Sequence, residues 1–313
     1  MSAILSMRQE DVLHDTVCTV AYFAANGLAA TAVDVWRWMD SPAHPYTLHE
    51  VVWALECLRA SGRLTMHHGR FCFAGSERLM EGDHAAYRDA RGKMRRARRV
   101  ARWVGAVPGV RGVAVANTLA WEHTHPEGDI DFFVVARPGT LWAVRLLVTL
   151  PLLLLRARPG LRKHNPIDFT FFVDDASLDL SSLRLVPDDP YLAHWAVSLV
   201  WMVDRGVAEA FRAANAWAFE RFPNAAPVEV AWYDRIRTVQ MPGEWIVRML
   251  NGMARRLSQW RFPEAIRSAI NQSTDVVVSD RVLKFHVHDR RKEVFETWMA
   301  LCATHGNDLA TRS

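Results

Sequence analysis

Asp129 and Asp131 stand one residue apart between two apolar runs, and no other feature of the 313-residue chain limits its folding so tightly. Upstream, Gly112-Val113-Ala114-Val115-Ala116 reads as a short apolar strand. Downstream, Phe132-Phe133-Val134-Val135 reads as a strand buried on both faces. Successive side chains of a strand alternate between faces, so both carboxylates point the same way, about 6 to 7 Å apart at Cα. Oxygen ligands in this arrangement suit magnesium, which takes one or two carboxylates and keeps other positions for water and phosphates. An Asp-x-Asp pair without such flanks is more often a solvated turn or a helix-capping cluster.

A third acid lies in the run Asn165-Pro166-Ile167-Asp168-Phe169-Thr170-Phe171-Phe172. Period-two alternation puts Asp168 and Thr170 on one face and Ile167, Phe169 and Phe171 on the other. A carboxylate in so apolar a strand needs compensation, either a metal ion or a paired arginine. Asp174, Asp175 and Asp179 read as loop acids.

These residues resemble the nucleotidyltransferase superfamily of DNA polymerase beta, the minimal nucleotidyltransferases and the aminoglycoside nucleotidyltransferases. In that pattern a strand ends in Gly-Ser, a short helix follows, and an Asp-x-Asp opens the next strand, with a third acid on a later one. Here Ala116-Asn117 stands at the Gly-Ser position, Gly128-Asp129-Ile130-Asp131-Phe132 matches the paired acids, and Asp168 supplies the third; the match covers residues 111–180. The resemblance implies that Asp129 and Asp131 hold two magnesium ions around a nucleoside triphosphate, and that Asp168 joins one of them and helps activate an acceptor hydroxyl. Ala116, Asn117 and Thr118 would contact phosphate, aided by the free N–H groups of a helix starting near Thr118. Ala116 brings a methyl group and Asn117 a carboxamide where the family has glycine and a hydroxyl, which points to reduced or altered activity. His123 and His125 precede the acids, as substrate contacts or solvated loop residues.

The chain is too long for that module alone, and its length suggests about two domains. Residues 11–75 read as a winged helix-turn-helix: helices over 12–25, 33–39 and 48–61, then a hairpin over 63–74 turning at His68-Gly69. Thr47-Leu48-His49-Glu50 has the form of a capping box for the recognition-like helix. That helix offers Glu50 and Glu56 against Arg59 alone, so docking of a protein or substrate stands level with DNA binding, an option kept open by Arg63, His67, His68 and Arg70.

Arg88, Arg91, Lys93, Arg95, Arg96, Arg98, Arg99 and Arg102 face the single acid Asp89. This leaves +7 on residues 88–102, so the rest of a chain whose total is +4 sums to −3. Ala90, Met94, Ala97, Val100, Ala101 and Val104 are interleaved at helical spacing, giving an amphipathic connecting helix. Its basic face would guide RNA, DNA, a protein acceptor or the nucleoside triphosphate, or would simply be solvated.

After Pro190 the periodicity predicts one long or two consecutive helices over 191–222 and another over 244–260, with Trp195, Trp201, Trp217, Trp232, Trp245 and Trp260 as core. Lys284, His286, His288, Asp289, Arg290 and Arg291 form a polar set that either reaches triphosphate, Lys284 first, or makes salt bridges. Residues 141–155 include Arg145 and Pro151 and are too few to span a bilayer, so a helix packed on the sheet is expected, its leucine-rich end free to form an exposed apolar patch. Cys18, Cys57, Cys72 and Cys302 contain no Cys-x-x-Cys pair, and no secretory signal is evident, so reduced thiols and a cytoplasmic location are expected.

The expected architecture is α+β: a winged-helix-like domain (1–78), a basic connecting helix (79–105), a small mixed-sheet nucleotidyltransferase core (106–186) and a C-terminal helical domain (187–313). The expected activity is magnesium-dependent transfer of a nucleoside monophosphate, with a non-catalytic nucleotide-sensing or nucleic-acid-binding regulator as the alternative.

Overall fold

The computed structural model describes residues 2–157, 159–160, 164–225, 236–287 and 289–310. Trp232 and His288 lie outside the described residues. The chain is α+β. It opens with α1 (Ser2–Ala25), β1 (Ala30–Thr31), α2 (Ala32–Arg37), α3 (Leu48–Ala60), β2 (Leu64–His67) and β3 (Arg70–Phe73). The three strands form an antiparallel sheet in the order β1-β3-β2. Capping boxes start two of these helices: Thr31 with Asp34 on α2, and Thr47 with Glu50 on α3. Each satisfies backbone N–H groups that a helix start leaves orphaned.

The long α4 (Asp83–Ala106) leads into β4 (Val110–Val115), α5 (Asn117–Ala120), β5 (Ile130–Ala136), α6 (Leu141–Leu154), β6 (Ile167–Asp174) and α7 (Pro190–Ser198). Next come β7 (Val200–Asp204), α8 (Val207–Ala214), α9 (Ala216–Phe219), α10 (Glu244–Trp260), α11 (Glu264–Ala269), β8 (Val276–Val278), β9 (Val282–Phe285) and α12 (Arg291–Ala310). Six of these strands make one mixed sheet in the order β7-β4-β5-β6-β9-β8, in which only β5 and β6 run parallel.

Both faces of this sheet are covered. Ala114, Phe133, Val135, Phe171 and Val173 share a core with α1, α2, α3 and α7, whereas Val113, Ile130, Phe132, Val134, Phe169 and Phe172 share one with α4, α6 and α10. The first core crosses the expected boundary at residue 78, so α1, α2 and α3 pack against one face of the main sheet. The last helix returns to it as well: α12 lies along α1, and the Trp298 indole N–H donates to the Cys18 carbonyl at 2.8 Å.

Several expectations are corrected. Residues 191–222 are not continuous helix, because Val200–Asp204 pairs with β4 at the sheet edge. The C-terminal segment is not purely helical, since it contributes β7, β8 and β9 to the main sheet. Phe171 shares the face of Asp168, not that of Phe169: the β5–β6 register slips after Asp131/Asp168, so Phe133 pairs with Phe171. A bulge of this kind inserts one residue and reverses the faces beyond it. Asp174 is a buried strand residue, 2% exposed. Trp245 and Trp260 lie on the surface and not in the core. Among the described residues no helix is long and apolar enough to cross a membrane.

Candidate metal centre

Parallel pairing of β5 with β6 sets Asp131 opposite Asp168, and Asp129 lies just before β5. Each of Asp129, Asp131 and Asp168 offers one carboxylate oxygen, and these atoms lie within 4.8 Å of one another, all three residues being half-buried. The triad could hold a metal ion. Three hard oxygen donors drawn together by the fold repel one another unless a cation or protons intervene, so the donor set fits a divalent cation of the magnesium type. Burial raises the pKa of Asp129, with Lys93 and His125 opposing. Burial pushes Asp131 to about 6, opposed by a hydrogen bond from the Asn117 carboxamide and reinforced by the charge of Asp129.

Asn117 opens α5 with φ 57°, a left-handed conformation that asparagine tolerates better than most residues. Ala116, 2% exposed, turns its methyl into the core, and its N–H donates to the Asp131 carbonyl at 3.1 Å. Thr118 is exposed. The expected anion-binding helix is only the four residues Asn117–Ala120, so few peptide dipoles align there.

Lys93, which sequence reasoning placed among eight basic residues without distinction, is the buried support of the site. It is 1% exposed, and its ammonium donates to the carbonyls of His125 and, at 2.7 Å, of Gly128, while pairing with Asp89 at 3.1 Å. Thr124 donates to the same Asp89 carboxylate at 2.6 Å. The loop that delivers Asp129 is thereby tied to α4. A methyl group at Gly128 would meet the His125 carbonyl oxygen at 3.2 Å and the Lys93 ammonium at 3.3 Å, which is why glycine suits that position. The sequence signal was a lysine on the alanine face: Lys93 falls with Ala90, Ala97 and Ala101, away from the exposed stripe Arg88, Arg91, Arg95, Arg99 and Arg102. At about 100° per residue this stripe centres on the side of α4 opposite Lys93.

A cavity of about 180 Å³ lies beside Asn117, the partner of Asp131, and is walled also by Phe171, Tyr191, Trp195 and His286 among others. Burial, and then the Asp131 charge, push Tyr191 up to about 12. His286 Nε2 lies 3.3 Å from the Thr170 hydroxyl, and burial lowers its pKa to about 3. Lys284 lines this cavity, but its ammonium is committed to Asp289 and the Thr274 carbonyl, at 2.8 and 2.7 Å. Arg291 joins the set through Asp289 and the buried Asp189. His125 is exposed, and His123 lines a separate cavity of about 580 Å³ with Arg37, Arg70, Arg98 and Trp121. The outer face of α3 carries Leu48, His49, Val52, Trp53 and the Glu56–Arg59 ion pair, and so offers phosphate little net positive charge.

Comparison with models of known protein families, with characterised proteins and with solved structures returns no match.

Proposed function

We propose that the protein is a magnesium-dependent nucleotidyltransferase that moves a nucleoside monophosphate from a nucleoside triphosphate to an acceptor hydroxyl. The observation that carries this reading is the convergence of Asp129, Asp131 and Asp168 within 4.8 Å at the start of two adjacent parallel strands. These acids would hold the magnesium, which when bound lowers the pKa of an attacking hydroxyl and steadies a pyrophosphate leaving group. The chain supplies position. Lys93 fixes the loop before Asp129, and the carboxamide of Asn117 orients Asp131 while leaving its other lone pairs open. Asn117 and the exposed Thr118 are placed to meet phosphate oxygens, in the role that the family gives to Gly-Ser. The cavity beside Asn117 is below the usual 300 Å³ of a ligand pocket, so it takes only part of a substrate.

The test is incubation of wild type and Asp129→Asn/Asp131→Asn with each α-labelled nucleoside triphosphate, magnesium and an extract as acceptor source. Label transfer and pyrophosphate release are expected from the wild type and not from the variant. Absence of magnesium-dependent nucleotide binding sinks the reading.

One observation favours a second reading, a nucleotide sensor without turnover: Ala116-Asn117 stands where the family has Gly-Ser. In that case the wild type binds nucleotide with magnesium but transfers no label, and Asn117→Ser raises transfer from nothing.

A further inference from the structure

A surface helix normally turns its apolar stripe toward the core, and α10 does the reverse. Trp245, Met249, Leu250, Met253, Leu257 and Trp260 are all exposed, Met249 at 75% and Trp260 at 76%, while Val247, Ala254 and Ser258 face inward. At 100° per residue the exposed set occupies an arc of roughly 140° that runs the full length of the helix. Packed beside α10 is α6, whose first N–H groups, those of Trp142 and Ala143, are accepted by the Asn251 side chain at 2.9 and 3.1 Å. The far end of α6 is also apolar and open, with Leu154 and Leu155 each 74% exposed.

Charge accompanies these faces. Residues 244–261 hold four arginines against Glu244 alone; Arg248 pairs with Glu244 at 3.3 Å and Arg255 with Asp280 at 2.8 Å, while Arg256 and Arg261 are exposed. Arg256 falls about 20° inside one edge of the α10 arc and Arg261 about 20° beyond the other. Trp245 and Trp260 stand in its first and last turns, where an indole can keep its ring in hydrocarbon and its N–H among headgroups.

We propose that α10 and the C-terminal end of α6 dock the protein on an anionic membrane surface. A convex ridge of Trp, Met and Leu bordered by arginines needs no matching groove in its partner. A lipid surface accepts the ridge among its acyl chains and the guanidinium groups among its phosphates. The helix lies in the plane of the interface and does not span it.

The test is sedimentation of the full chain with vesicles of phosphatidylglycerol and phosphatidylcholine in equal parts, and with phosphatidylcholine alone. The protein is expected to sediment with the anionic vesicles only. Met249→Glu/Met253→Glu abolishes binding, and Arg256→Glu/Arg261→Glu weakens it by roughly ten-fold or more. All four positions are exposed, so both variants should keep the wild-type melting temperature, which serves as the folding control. Failure of the wild type to bind anionic vesicles, equal binding to neutral ones, or retention of binding in both variants overturns the proposal. So does light scattering that finds a concentration-dependent dimer dissolved by Met249→Glu/Met253→Glu, since the face would then be covered by protein.

Discussion

Burial of Asp131 beside Asp129 raises its pKa to about 6, so in the metal-free protein this acid is paid for in stability. Between its ordinary value and 6 the folded chain binds the extra proton, and stability falls as pH rises through that window. Asp131→Asn is therefore expected to stabilise the metal-free protein by about 1 kcal/mol at pH 7 while abolishing transfer. Thermal melts with and without magnesium check this, and a lower melting temperature in the variant contradicts it. His194 has the opposite sign. It is fully buried, both ring nitrogens lack a hydrogen-bond partner, and Tyr22, Phe23, Trp38, Trp121 and Phe222 enclose it, which lowers its pKa to about 3. Its contribution is complete above the unfolded value near 6.5 and is lost as pH falls toward 3. From pH 7 to pH 5 the loss is roughly 2 kcal/mol, because the unfolded chain gains a proton that the folded chain refuses. Denaturant melts at the two pH values should show this loss in the wild type and a much smaller one in His194→Phe.

At the scale of elements, helix ends and strand edges carry the information. The capping box at Thr47 was legible because its hydrogen bonds are local in sequence, and it forms as expected. The N-terminus of α6 is capped from 109 residues away by Asn251, which no local pattern discloses. Asn251→Ala leaves two helix-start N–H groups without their acceptor and is expected to cost 1 to 2 kcal/mol, read as a lower denaturation midpoint at unchanged slope. Residues 200–204 and 282–285 illustrate a related limit. Short apolar runs beside helices become strands here only because β4 and β6 present open edges to them.

Across the whole molecule, Arg291 is the joint. It is 4% exposed and binds Asp189 at 2.6 Å, Asp289 at 2.8 Å, the Leu183 carbonyl and Thr274, so one guanidinium links α12, the α7 cap and the segment before β8. Arg291→Met leaves Asp189, 1% exposed, buried without its cation, and is expected to cost about 3 to 5 kcal/mol, measured by chemical denaturation. Arg291 was legible as a member of a polar set, but its partners lie up to 108 residues distant and only the fold brings them together. The sequence by itself determined the α+β class, the flanked acids Asp129, Asp131 and Asp168, the hairpin at His68-Gly69 and the helix carrying the basic run. Each of these rests on periodicity or on hydrogen bonds between near neighbours. Tertiary structure alone decided that Lys93 would be the buried support of the acid loop, that Phe171 would change faces, that distant strands would complete the sheet, and that α10 would turn its apolar side outward. Such outcomes depend on what packs against an element, and a pattern of apolar residues specifies that a face exists without specifying what covers it.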